Sequence, residues 1–479
     1  ITPLEPFMNF FSFEFLGAFT SFFIIYWLFQ KQVKIQNILL IIVSYAFLFY
    51  VDYRPAVILL SYTLLIYSLA NILTRYTSTK VIYWLLGLLV ALYFTAFKYY
   101  SFFQESLTQL FSQWGLSVEL PIIELLAPLG LSFYIFHSVS YVVSVCRKEI
   151  PKAPFLDVVL YLCFFPSIVA GPINRAKQFL PQIQAPTRKI IDYKGAIMLI
   201  VLAIAKLFWL SGWLSTNYVD PIFNAPDLAT SGQVLVATYA YAWHIYFNFS
   251  GYTNLVTGIA LLLGFVVPRN FNAPYLAINL ADFWRRWHIS LSTFIRDYVY
   301  IPLGGNRKGV IRQNVNAFAA MVISGLWHGA AMTFIIWGAI HGIGVVILNI
   351  KHRLFPAAKH DANSMLASLK MLLSWIITFH FVCFAWIFFR SQTVNDAWIL
   401  IQQLFSAGAW QSLQAEGLTL FMFWGLFLLY PCFVTLRAII ARLEKKVPWY
   451  VYPLPLALIL TIIFMLSPDG VPGFIYASF

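Results

Sequence analysis

Apolar runs of roughly bilayer-spanning length recur from one end of the chain to the other. The clearest cover residues 13–29, 35–50, 55–74, 81–103, 121–146, 195–215, 371–389, 418–438 and 451–466. Each approaches or exceeds the ~20 residues a helix needs to cross the hydrocarbon. Two longer apolar regions, 233–267 and 313–350, are interrupted by polar and small residues. The stretch 155–172 is short and broken by Pro166, Gly171 and Pro172. Irregular backbone at membrane depth is tolerated only where protein or a cavity satisfies it, so this stretch reads as a segment that dips in and returns beside a cavity. The pattern predicts an all-α polytopic membrane protein, one domain over residues 1–479. It would have roughly 11–13 transmembrane helices plus re-entrant and amphipathic interfacial segments.

Composition agrees with the pattern. The chain is 61% hydrophobic and 10% charged, with mean hydropathy +0.77, whereas soluble chains carry about 25% charged residues. No basic leader or small-residue cleavage site precedes the first apolar run, so a removed signal peptide is not expected. Ile1–Pro6 ahead of Met8 reads as foreign to the natural start. Cys146, Cys163, Cys383 and Cys432 lack metal-ligand spacing and read as packing residues, and no metal is expected.

The net charge of +13 would suit nucleic acid, but Lys and Arg sit in short connections between apolar runs, which is an orientation signal. Nucleic acid is therefore not an expected partner. With the start outside, the connections around Lys31, Arg75 and Arg147 fall inside, as do 269–312, 351–370 and 437–446. The re-entrant reading is chosen to hold 147–194 on that side. Outer connections are then 51–54, 104–120 and 216–231. Of 31 Lys and Arg only Arg54 and Arg390 fall outside, while Lys98 and Lys206 lie within apolar runs.

Residues 279–312 carry the densest polar chemistry. ADFWRRWHISLSTFIRDYVYIPLGGNRKG holds Arg285, Arg286, Arg296, Arg307 and Lys308 against Asp282 and Asp297. Trp284, Trp287, Leu291, Ile295, Tyr298 and Val299 recur every three to four residues, predicting one amphipathic helix with aromatic anchors. Such a helix suits an anionic leaflet. It also suits a basic inner mouth for a polyanionic donor, with the 304–309 turn presenting amides and cations to phosphates. It is not a Walker loop.

Of eight histidines, His352 and His360 lie in a basic connection, while His137, His244, His288, His328, His341 and His380 lie in or beside apolar runs. Ionisable groups there are expensive and mark functional sites by default, although a single His in a bundle is more often a satisfied hydrogen-bonding residue. His328 stands apart because Gly325, Gly329, Ala330 and Ala331 strip bulk from around it, leaving room for a substrate or a helix backbone. His288 is the second candidate. His341 follows His328 by 13 residues, about 220° round an ideal helix, so the two share no face on a continuous helix. No His-Glu-x-x-His, Gly-x-Ser-x-Gly or dinucleotide fingerprint occurs.

Five blocks, residues 128–147, 170–175 (AGPINR), 247–254 (FNFSGYTN), 283–307 and 324–330 (SGLWHGA), resemble the membrane-bound O-acyltransferase family. The likeness is strongest to its bacterial polysaccharide O-acetylation branch, alginate and peptidoglycan, and is confined to 128–330. The resemblance implies a helical bundle whose invariant histidine corresponds to His328 and whose second histidine corresponds to His288. It further implies that acetyl-CoA is a substrate, with no bound cofactor, and that the acetyl group passes to a cell-envelope polysaccharide through a periplasmic O-acetyltransferase partner. The setting would be a bacterial inner membrane. Asn306, Arg307, Lys308 and Arg296 would steer the donor; Trp284, Trp287, Trp327, Gly325 and Gly329 would line the passage. The chain departs from the family at Ser144, Asn248 and Asn254, where acidic residues are common, and at His137, where Gln is. Competing readings are a transporter or flippase with broken helices, and a D-alanyl transferase of the teichoic-acid type.

Overall fold

The computed structural model describes residues 13–75, 78–116, 130–355, 365–444 and 446–468. The Ile1–Pro6 reading, His360 and the first part of the expected 121–146 run lie outside them. The described residues are helical, with no strand among them. Among the described residues seven helices are long and apolar enough to cross a membrane: Val33–Tyr50, Tyr53–Leu73, Lys80–Tyr99, Tyr193–Phe223, Met332–Leu354, Met365–Arg390 and Gly417–Ile440. Shorter apolar helices cover Glu14–Leu28, Leu131–Cys146 and Pro453–Leu466. Large apolar side chains face outward, Trp84 at 80% and Leu454 at 81% exposure, while Ser140, Asn174, Asn248 and His341 are fully buried. That inversion suits a lipid solvent. The chain is an all-α polytopic membrane protein. One connection is longer-structured than expected: in 104–120, helix continues to Gln113.

Two compact units are present, residues 1–197 with 256–268, and 198–255 with 269–479. In the first, the expected re-entrant stretch, residues 155–172, is two short helices, Phe155–Cys163 and Phe165–Ala170, and a third, Ala176–Ile183, follows it. The first ends at Cys163, and Pro166 stands in the first turn of the second, where its missing N–H costs nothing. Asn174 N–H donates to His137 Nε2 at 3.0 Å, Ala176 N–H to Ser140 Oγ at 3.0 Å, and Tyr161 O–H to the Asn174 carbonyl at 2.9 Å. The PINR block thus docks on Leu131–Cys146 through backbone groups, and His137 is a structural acceptor. Buried Arg188 pairs with no carboxylate among the described residues: it donates to Tyr26 Oη and Asn37 Oδ1 at 3.1 and 2.9 Å and lies 4.3 Å over the Phe265 ring.

In the second unit the expected 313–350 run is a hairpin of two helices, Gly309–His328 and Met332–Leu354. Their crossing depends on absent side chains. A Cβ on Gly325 would stand 2.3 Å from the Phe334 carbonyl oxygen, and one on Gly338 2.6 Å from that of Met321. Small residues let helices approach to backbone contact, the favoured association in lipid. Gly325 therefore faces helix, and an added methyl on Gly329 would meet the Phe334 ring at 2.2 Å. Of the two occupants the small residues leave room for, substrate or helix backbone, the space at Gly325 holds helix, and that at Gly329 holds the Phe334 ring.

Candidate active site

A break in the 279–312 segment sets the site. Asn279 caps the Leu280–Arg286 helix by accepting the Asp282 N–H at 2.8 Å. The helix stops at Trp287, and His288 then takes left-handed backbone, φ 42° and ψ 53°, before Ile289–Ile295 begins. A non-glycine residue there costs about 1–2 kcal/mol, and such strain persists only where the surroundings over-determine it. Buried Asn270 does this. Its carbonyl accepts the Ile289 N–H at 2.9 Å, and its Oδ1 accepts the Ser290 hydroxyl at 2.6 Å and the Ser290 N–H at 3.3 Å. The single amphipathic helix expected here is corrected to two. Trp287, Leu291 and Ile295 are 1%, 1% and 7% exposed, buried in protein rather than laid on lipid.

His328 ends its helix, and the hairpin turn presents it to the same place. The Trp327 ring lies 5.8 Å from His288 and 4.9 Å from His328, edge-on to both. Exposure is 1% for His288 and 3% for His328. Trp337 and Phe389 stand 5.0 and 5.1 Å from His328, with Phe334 behind at 6.5 Å. Both imidazole rings are thus buried away from solvent. Aromatic rings enclose the site: a substrate reaching His328 must displace Trp327, Trp337 or Phe389.

Trp284 packs 5.1 Å from His341 and 5.8 Å from Trp337, whereas Trp287 sits in an aromatic core with Phe271 and Trp386 at 5.1 and 5.2 Å. His341 belongs with the site. Because helix breaks between His328 and Met332, it lies 4.9 Å from the Trp337 ring that also meets His328. Its exposure is zero, and neither ring nitrogen has a hydrogen-bond partner among the described residues. An imidazole so placed is costly, and this marks polar chemistry that the continuous-helix reading hid. The Trp337 indole N–H is likewise unpartnered there. By contrast His244 bonds Ser211, and His380 bonds Tyr239 and the Ile376 carbonyl, so these two serve structure.

The expected donor residues are not beside the histidines in burial. Asn306, Arg307 and Lys308 are exposed on a turn held by Asn316, which donates to the Gly305 carbonyl at 3.1 Å. Arg296 is exposed and pairs with Asp297 at 2.8 Å.

Burial pushes the His288 pKa down to about 3. The ring is thus neutral when folded, while in the unfolded chain it binds a proton near pH 6.5. Stability from this group is full above about pH 6.5 and is lost as pH falls towards the folded value. Melting temperature measured between pH 7.5 and 5 should fall, and His288→Gln should flatten that fall by up to one proton. An unchanged slope would place His288 in contact with water. Asn270→Ala should slow transfer through displaced His288, with donor affinity kept and rescue by Asn270→Asp incomplete. A pure affinity loss would contradict this positioning role.

With the geometry in hand, comparison with known proteins is specific. The membrane-bound O-acyltransferase family model matches residues 139–391. A probable alginate O-acetylase of Pseudomonas aeruginosa is 33% identical over 84% of this chain and 75% of its own length. A peptidoglycan O-acetyltransferase of Helicobacter pylori is 31% identical over 68% and 64%. A teichoic acid D-alanyltransferase of Bacillus subtilis is 30% identical over 56% and 70%. The matched region takes in both histidines, the Trp337 indole between His328 and His341, and Phe389. The chain belongs to the membrane-bound O-acyltransferase family and is a multi-pass membrane acyltransferase.

Proposed function

We propose that this acyltransferase takes an acetyl group from cytosolic acetyl-CoA and passes it towards a cell-envelope polysaccharide, with a periplasmic O-acetyltransferase partner, in a bacterial inner membrane. One observation carries the reading: two buried imidazoles, His288 and His328, packed against one indole at a strained break. The names of the alginate and peptidoglycan relatives support acetyl as the acyl group.

The chemistry follows from the residues. An acceptor hydroxyl attacks the thioester carbonyl; a C–O bond forms and the C–S bond breaks. His328 takes the hydroxyl proton as attack proceeds and returns it to the leaving thiolate, a role worth about 10²–10⁴-fold. His288 orients the acceptor. The Trp337 N–H is a donor available to the developing oxyanion. Asn306, Arg307, Lys308 and Arg296 attract the donor from the cytosolic surface, and Trp284 and Trp327 form the walls. For the partner, the 216–231 and 390–417 segments supply one surface. Arg390 pairs with Asp220 at 2.8 Å, Ser231 bonds the Leu404 carbonyl, and Leu228, Phe405 and Trp410 stand 84%, 84% and 71% exposed.

Purified protein in liposomes with [¹⁴C]acetyl-CoA should release coenzyme A and pass label to a hydroxyl acceptor, faster with a periplasmic partner present. Thioester turnover no higher than that of His328→Ala, with every hydroxyl acceptor tried, would refute the reading.

A further inference from the structure

Lys206 sits within a membrane-spanning helix, where a cation is expensive and needs a partner. The helix widens there into a π-turn, Ala205–Ser211, a distortion often found at functional positions. Lys206 Nζ donates to Ser250 Oγ at 3.0 Å, and Asn254, with its amide turned to satisfy both neighbours, accepts from it at 3.2 Å. The Tyr246 ring lies 5.6 Å from the ammonium. Tyr246, Ser250 and Asn254 recur every fourth residue on one helix face. These partners are neutral and take two of the ammonium's three donors, leaving one to spare.

Two further cations converge on the same tyrosine. Arg269 and Arg437 both act electrostatically on Tyr246, and Arg437 also acts on Lys206 and on Arg269. Arg269 is anchored through Nε to the Phe271 carbonyl at 2.6 Å, which leaves its terminal nitrogens for other acceptors. Arg437 follows Tyr430 by two helical turns, and the Tyr430 hydroxyl meets that of Tyr246 at 3.2 Å. Among the described residues no carboxylate forms an ion pair with Lys206, Arg269 or Arg437. Three cations that repel one another, none of them ion-paired to a carboxylate among the described residues, suit an external anion. The charge pattern puts Arg269 and Arg437 at the inner side.

We propose that Lys206, Arg269 and Arg437 bind a phosphate group, from the nucleotide part of a thioester donor or from an anionic lipid headgroup. The donor arm rests on the acyltransferase reading above; the lipid arm does not. Phe271 joins the two regions, its ring 5.6 Å from Tyr246 and 5.1 Å from Trp287, beside His288, so a phosphate held here lies on the inner approach to the histidines.

The test uses the full chain in neutral phosphatidylcholine nanodiscs, with coenzyme A as the probe. Lys206→Gln, Arg269→Gln and Arg437→Gln should each weaken coenzyme A binding about tenfold, and Arg437→Lys should restore most of it. Arg437 is exposed, so its variants keep the fold even where Lys206→Gln does not. If coenzyme A affinity is unchanged but native mass spectrometry shows loss of retained phosphatidylglycerol, the site is real and its phosphate comes from lipid. Unchanged coenzyme A affinity together with unchanged phosphatidylglycerol retention in Arg269→Gln and Arg437→Gln overturns the proposal. Acetyl transfer is scored separately, so wild type that binds coenzyme A yet transfers nothing removes the functional reading and leaves this site standing.

Discussion

His328→Ala should yield a folded, monodisperse protein that transfers acyl groups 10²–10⁴-fold more slowly, the range lost with a general base. The fold survives because His328 is the last residue of its helix, and the Gly309–His328/Met332–Leu354 crossing is made by Gly325 and Gly338, not by the imidazole. Donor affinity should hold, since the role proposed for the ring is on the acceptor proton; the loss should therefore fall on turnover rather than on saturation. His328→Gln separates chemistry from packing. It keeps polarity and volume in the box of Trp327, Trp337 and Phe389 but cannot take a proton near neutral pH. Both variants should be equally slow. A fast glutamine variant would mean that the ring only fills space.

Gly325→Ala should be the most damaging single methyl in the second unit. The new Cβ would lie 2.3 Å from a backbone oxygen of the partner helix and 3.3 Å from Gly338 Cα. Backbone cannot swing aside as a side chain can, so the helices must separate along the crossing. Overpacking of this kind costs roughly 3 kcal/mol or more, and it would also move His328, three residues on. Detergent-purified protein should show a markedly lower melting temperature and a broadened gel-filtration peak, with transfer lost in proportion. Gly425→Ala, where no atom lies within 4 Å, is the matched control and should be silent. Wild-type melting in Gly325→Ala would show that the two helices do not touch as described.

Much of this was legible in the residues, and what was hidden has physical causes. Apolar length announced the spans, because in lipid nothing but helix satisfies an isolated backbone. The small residues around His328 marked it as unusual, yet they could not say whether the gap held substrate or helix; at Gly325 it holds helix. The break at His288 was hidden because histidine is no turn signal, and the apolar recurrence runs straight through it. What imposes the break is Asn270, 18 residues upstream, a long-range contact that local periodicity does not register. On a continuous helix the angle separates His341 from His328, but Gly329–Ala331 interrupts the helix and removes that separation. Gly329, followed by two further small residues, was the available hint. Lys206 was visible as a cation in an apolar run, but its neutral partners and its neighbours Arg269 and Arg437 meet only through folding.

The most direct measurement is vectorial transfer in sealed proteoliposomes, with [¹⁴C]acetyl-CoA confined to the side bearing the 304–309 turn and a hydroxyl acceptor on the other. Wild type should deliver label to the far side, and His328→Ala, matched for amount, melting temperature and coenzyme A binding, should deliver at least a hundredfold less. Equal delivery by the two proteins would contradict the assignment of this buried imidazole as the base.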